Sequence, residues 1–436
     1  MNASTGAPPR SGPMAGMPMT TGSLVLPGAH FAAATLFLVA GGLGVARVAP
    51  ELAAGAHLSP HVAGVTHLFT LGWITTTIFG ALYQLLPVAL GTPVRWPWLG
   101  HASLALFAPG VAVFAASVFL VSATLHHVGI ALVASGILLV TANVGATLLR
   151  APQRDASARA VALALLFLVA TLALGILLLH NFHTGFLGAR RLAFLAAHAH
   201  VALGGWVLVM IVGMSHRLLP MFLVAHGVEA RWTGRALALL AAGVPLLAAG
   251  LLGDVGALAW IGLLLMEAGL ACFLVQARTF YRKRIRRRLD PGLRFAAVAL
   301  GLLAAAALLA PAVLARGATH PRLATAYGLV GLLGGFAIYV ACLGYKIVPF
   351  LAWLGRYRDR MGREPVPAVA DLFSATLARW QLGLMVAAVA ALALAVAGGS
   401  AVAAQLAALA YALSTLGYAG QMLRVAVGAP RKATHG

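Results

Sequence analysis

The chain has 436 residues, of which 61% are hydrophobic and only 9% charged, and its mean hydropathy is +0.95. Soluble domains carry about a quarter charged residues, so a water-soluble fold is excluded. A net charge of +21 would suggest nucleic acid in a soluble protein, but here the basic residues sit in loops between apolar runs, so the partner they imply is membrane lipid and not nucleic acid.

The first 22 residues are rich in Pro, Gly, Ser and Met and are expected to be a disordered tail. Met14, Met17 and Met19 in that tail are soft thioethers of the kind that copper accepts. The tail has one Arg and no small-residue cleavage site, so the first apolar run is expected as a retained helix. From there the chain reads as a membrane domain over 23–426, followed by a basic tail over 427–436. Twelve runs are long enough to cross a bilayer: 24–48, 63–88, 98–122, 124–149, 158–180, 190–221, 233–253, 255–278, 293–316, 321–350, 378–398 and 400–424. The fold class expected is an all-α polytopic membrane protein.

Basic residues concentrate after the even spans. Arg150, Arg154 and Arg159 follow span 4, Arg231 and Arg235 follow span 6, and a run from Arg278 to Arg288 follows span 8. Arg356, Arg358, Arg360 and Arg363 follow span 10, and Arg431 and Lys432 follow span 12. The opposite loops carry few. The positive-inside bias then predicts both termini in the cytoplasm, in a membrane of the bacterial inner type. Cys272 and Cys342 fall inside spans and form no CxxC pattern.

Span 2 begins His67-Leu-Phe-Thr-Leu-Gly72-Trp73 and ends Tyr83-Gln84-Leu-Leu-Pro87. Span 6 repeats it as His200-Val-Ala-Leu-Gly-Gly205-Trp206, ending His216-Arg217-Leu-Leu-Pro220. Span 10 holds a third copy from Leu329 through Gly334 to Tyr345-Lys346-Ile-Val-Pro349, without the His and the Trp. A period of four spans predicts three pseudo-repeated arcs, with spans 2, 6 and 10 facing a shared interior. At 1.5 Å per residue His67 to Pro87 covers about 30 Å, the thickness of the hydrocarbon layer. The glycines one to two turns in are expected to let helices approach closely.

Among the fifteen histidines, His67, His198 and His200 lie within spans, where an ionisable side chain points to function. Neutral imidazole ligates heme iron, copper and zinc; the competing role is a helix-to-helix hydrogen bond, worth about 1 kcal/mol. Equivalent positions place His67 and His200 at one depth. His198 and His200 are about 200° apart around their helix, so they serve opposite neighbours. His126 and His127 open span 4 at an interfacial position, and Trp73 and Trp206 read as packing residues. Glu267 is the carboxylate well inside a span, either a proton-relay group or a neutral acid bonded to a neighbouring helix.

The stretch from His67 to Tyr83 resembles the second helix of heme–copper oxidase subunit I relatives, nearest to short subunit-I-like proteins. The whole chain also resembles the NnrS family of twelve-span heme- and copper-containing proteins linked to nitric oxide stress. The resemblance covers the membrane domain in architecture and spans 2 and 6 in motif. It implies His67 as a heme ligand, with heme b as cofactor, and His198 or His200 as the counterpart of a copper ligand. It implies oxidoreductase chemistry in respiratory electron transfer or nitrogen-oxide handling, with a cytochrome or other respiratory subunits as partners. The family's histidine pair on the seventh helix has no counterpart, and span 10 offers Tyr327 and Leu329 where the family has His-x-His. A complete oxygen-reducing centre is therefore not expected. Two other functions fit the same residues: a transporter or metal-handling permease using Glu267, and a scaffold subunit without cofactor.

Overall fold

The computed structural model describes residues 24–428 apart from 153 and 318. The expected tail with Met14, Met17 and Met19, and the basic pair Arg431 and Lys432, lie outside the described residues. The protein is an all-α polytopic membrane protein, and among the described residues twelve helices are long and apolar enough to span a bilayer. They are span 1 (Val25–Ala53), span 2 (Pro60–Val88), span 3 (Pro97–Phe119), span 4 (Ala123–Arg150), span 5 (Ala156–Thr184) and span 6 (Gly188–Leu223). Then follow span 7 (Arg231–Leu252), span 8 (Gly256–Arg282), span 9 (Pro291–Arg316), span 10 (Pro321–Arg360), span 11 (Ala375–Gly398) and span 12 (Ala401–Val427).

Spans 2, 6 and 10 form the interior: 67, 61 and 72% of their most apolar stretches are buried, against 28–50% in the other nine. The outer spans pair as hairpins, 3 with 4, 7 with 8 and 11 with 12, and span 1 closes the ring against span 12. Their outward faces carry exposed apolar side chains such as Leu36, Leu166, Leu308 and Leu394. A surface of that kind is stable against lipid tails and not against water.

At the centre the three repeats enclose an apolar cavity of about 60 Å³. Its walls are equivalent positions of the three copies, with Thr77, Met210 and Tyr339 at one level and Leu85, Leu218 and Ile347 at another. Offsets of 133 and 262 residues relate every set, so the repeat is a pseudo-threefold of the structure as well as of the sequence. The repeated glycines allow the close approaches expected of them: a β-carbon on Gly72 would meet Phe37 at 2.6 Å, and one on Gly205 would meet Phe167 at the same distance.

Two features depart from a plain α-helical repeat. First, each copy contains a wide π-helical segment, at Leu68–Thr75, Val201–Leu208 and Leu329–Ala337. In spans 2 and 6 it starts directly after the histidine. Each segment carries glycine at the shared position, Gly72, Gly205 and Gly334, whose missing side chain lets a wider turn fit against neighbouring helices. Second, span 10 continues past Pro349 to Arg360, beyond its expected end at 350. Trp353, Leu354 and Tyr357 bury there against Leu372 and Val425, a small second core that rewards the extra turns.

The tryptophans tie the copies together. Trp206 donates its ring N–H to the Thr75 hydroxyl at 2.9 Å, and Trp73 donates to the Ala337 carbonyl at 3.1 Å. Thr75 and Ala337 are equivalent positions, so each tryptophan reaches from its own copy into the next. Span 10 has Gly335 at the matching position, where a β-carbon would meet Leu303 at 2.3 Å, and the third link is replaced by packing.

At the proline end a second device repeats. Asp155 caps the N-terminus of span 5 by accepting from the Ala158 amide and also pairs with Arg217 of span 6. Asp290 caps span 9 through the Leu293 amide and pairs with Lys346 of span 10 at 2.6 Å. Arg217 and Lys346 occupy the same place in their copies, three residues before the proline. An N-cap carboxylate satisfies an orphan helix N–H and favours the positive end of the dipole; here it also fastens the next span.

Candidate functional site

His67, His198 and His200 are divided between two places. His67 lies against His198, with ring centroids 6.3 Å apart and planes inclined by 33°. His200 turns to the opposite side of span 6 and faces Tyr327 of span 10. The equivalent depth of His67 and His200 therefore does not make them partners: it is His198, about 200° round the helix from His200, that meets span 2.

Backbone carbonyls fix the tautomers of all three. His67 Nδ1 is 2.7 Å from the Ala63 carbonyl, His198 Nδ1 is 3.1 Å from the Thr171 carbonyl of span 5, and His200 Nδ1 is 2.8 Å from the Ala196 carbonyl. A carbonyl only accepts, so each Nδ1 carries the proton and each Nε2 keeps its lone pair. That is the second-shell arrangement that orients a metal-ligating imidazole. At His200 the lone pair accepts from the Tyr327 hydroxyl at 3.4 Å.

Span 5 builds the cradle for His198. Its Cε1 lies 3.2 Å from where a β-carbon on Gly175 would stand, so a side chain there would crowd the ring. On the other side the His67 ring meets the edge of Phe114 at 5.0 Å. Beyond Phe114 the row continues through His126 (5.1 Å), His183 (5.4 Å) and His127 (4.8 Å) to the surface. Sequence reasoning missed Thr171, Gly175 and Phe114, which sit in uniform apolar runs and carry no signal of their own.

His200, Tyr327 and Glu267 line a second, partly open cavity of about 120 Å³ between spans 6, 8, 9 and 10. Glu267 Oε1 is buried there without a hydrogen-bond partner among the described residues.

An ion and a porphyrin ask different things of these residues. Two imidazoles on opposite sides of one ion hold their centroids about 6.2 Å apart, from metal–nitrogen distances near 2.0 Å and about 1.1 Å from nitrogen to ring centre. The His67–His198 spacing meets that requirement. Phe114 lies against the His67 ring and the Thr171 carbonyl of span 5 against His198. The His200 cavity is smaller than the roughly 300–1,000 Å³ of pockets for larger ligands. Among the described residues no three His, Cys, Asp or Glu side chains gather as a metal site, so an ion here would have two protein ligands. No family model matches the chain, and no curated protein matches it.

Proposed function

We propose that the protein is a copper-binding integral membrane protein of oxidase-subunit-I-like architecture, acting in respiratory electron transfer or nitrogen-oxide handling. The observation that carries this reading is the His67–His198 pair, two imidazoles with fixed Nδ1–H and unspent Nε2 at a spacing suited to one ion. His67 and His198 would hold the ion. Thr171 and Gly175 would position His198, and Phe114 would close the flank. Bound copper would supply one-electron chemistry, and a two-ligand ion leaves positions open for a small ligand. Imidazole suits copper, and the absence of charged ligands favours the lower-charged cuprous ion in a low-dielectric site.

The orientation that goes with this reading follows the loop charges. The proline end, with Arg217 and Lys346, would face the cytoplasm, and the histidine row would open outward in a membrane of the bacterial inner type. An electron donor or acceptor on the outer side would then meet His127 and His183 first, and a respiratory subunit is the partner expected.

The test is metal content together with a reduced-minus-oxidised absorption spectrum of the purified, metal-loaded protein. One copper per chain and no heme band supports copper binding. A heme band lost in His67→Ala would support heme b at the same histidine instead. Neither metal nor heme would leave the scaffold reading.

A further inference from the structure

A row of rings joins the His67–His198 pair to the surface. It passes Phe114 of span 3 and His126 of span 4 and ends on His183 of span 5 and His127 of span 4, in ring-to-ring steps of 4.8–5.4 Å. His126 is buried, whereas His127 and His183 are exposed. Span 4 starts at Ala123, one turn before His127, and span 5 ends at Thr184, next to His183. Both exposed rings therefore stand at the end of the helix bundle and not along its hydrocarbon face.

The donors there are neutral. Between Phe114 and His200 the carboxylate of the sequence is Asp155, which is paired at the far, proline end. Imidazoles without carboxylates suit copper and zinc, not magnesium or calcium. Two imidazoles on one tetrahedral ion hold their ring centres about 5 Å apart. His127 and His183 stand at 4.8 Å, and His126 and His183 at 5.4 Å. His127 Nδ1 is 2.7 Å from the Ala123 carbonyl, so Nε2 keeps its lone pair, as at His67. Two exposed protein ligands, with water completing the shell, hold an ion loosely and exchange it readily.

An ion does not enter an apolar interior without ligands, because its desolvation is unpaid. The row supplies them at short intervals. His126 touches both His183 and Phe114, and Phe114 touches His67. A β-carbon on Gly129 would meet the Phe114 Cα at 2.7 Å, so span 4 packs directly on the span 3 backbone and the ring is the part left to swing. A cation passing the ring face is favoured by its quadrupole.

We propose that His127 and His183 form a docking site for a cuprous ion, which His126 takes from His183 and delivers past Phe114 to the His67–His198 pair. Each step forms one copper–nitrogen bond as another breaks, with no change of oxidation state. The delivery step rests on the copper reading of that pair; the docking site does not.

The test uses the full chain in nanodiscs without oxygen, with cuprous ion supplied as its coloured bicinchoninate complex. Equilibrium dialysis should find one tight ion and, once that is bound, a second, weaker one. The double variant His127→Ala/His183→Ala should lose the weak ion, keep the tight affinity, and slow loading of the tight site roughly tenfold or more in stopped-flow. His126→Leu should slow loading while keeping the weak ion. Phe114→Leu should speed both loading and release. A wild-type chain without the weak ion, or a double variant that loads at the wild-type rate, would overturn the proposal while leaving the tight site in place. A weak ion that depends on His127 and His183 in a chain with no tight one would instead overturn the copper reading of His67–His198, and the delivery step with it, and support the docking site.

Discussion

At the scale of single residues, the site is decided by which way each imidazole turns. His198 meets His67 because span 5 offers a carbonyl at Thr171 for Nδ1 and an empty place at Gly175 for Cε1. A methyl at Gly175 would sit 3.2 Å from that carbon, tighter than ordinary contact, and would tilt the ring. Gly175→Ala is therefore expected to weaken copper binding by about 10- to 100-fold, the usual effect of disturbing a ligand's support, with little change in melting temperature. Competition against a cuprous chelator measures the first and thermal unfolding the second; unchanged affinity would remove Gly175 from the site. That His67, His198 and His200 are candidates was legible in the sequence, because histidine inside an apolar span is rare and costly. Their partners were not legible. Which neighbour a side chain meets depends on helix rotation and packing, and Thr171, Gly175 and Phe114 are ordinary residues of apolar helices.

At the scale of elements, the three interior helices are held by reciprocal contacts. Removing the indole N–H with Trp206→Phe, or its acceptor with Thr75→Val, should each lower stability by about 1 kcal/mol, the range of interhelical hydrogen bonds in membranes. The double mutant should cost less than the sum, with a coupling of about 0.5–1 kcal/mol in a denaturation cycle; strict additivity would show that the bond contributes nothing. The carboxylate latches set the acid limb of stability. Burial works against the charge on Asp155, but the Ala158 amide and the Arg217 guanidinium outweigh it and hold the carboxyl below its ordinary range. A depressed folded-state value stabilises the protein above the unfolded value, about 4, and that contribution is lost as pH falls through the folded value. Asp155→Asn should thus lower melting temperature near neutral pH and flatten its fall below about pH 4. A variant with an unchanged acid limb would contradict the latch. The repeat itself, with its glycines and prolines, was readable from residue spacing. The π-helical segments were not, because one extra residue per turn over a short, uniformly apolar stretch leaves no mark on hydrophobic periodicity.

At the scale of the whole molecule, composition alone required a membrane fold, and a period of four spans was enough to place spans 2, 6 and 10 inside. The structure adds a central cavity walled by equivalent positions of all three copies, and the copies diverge around the three histidines. Where copies one and two keep histidine, span 6 presents one imidazole to each side; copy three has Leu329 at the equivalent position, and Tyr327, two residues earlier, faces His200 across the cavity between spans 6, 8, 9 and 10. On the proposed reading His67 and His198 form one site and His200 lies outside it. The most direct measurement is copper K-edge X-ray absorption on copper-loaded protein and its single variants. It should show two imidazole nitrogens at about 2.0 Å, preserved in His200→Ala and lost in His67→Ala and in His198→Ala. A protein that takes up no copper, or a spectrum that survives His198→Ala unchanged, would contradict it.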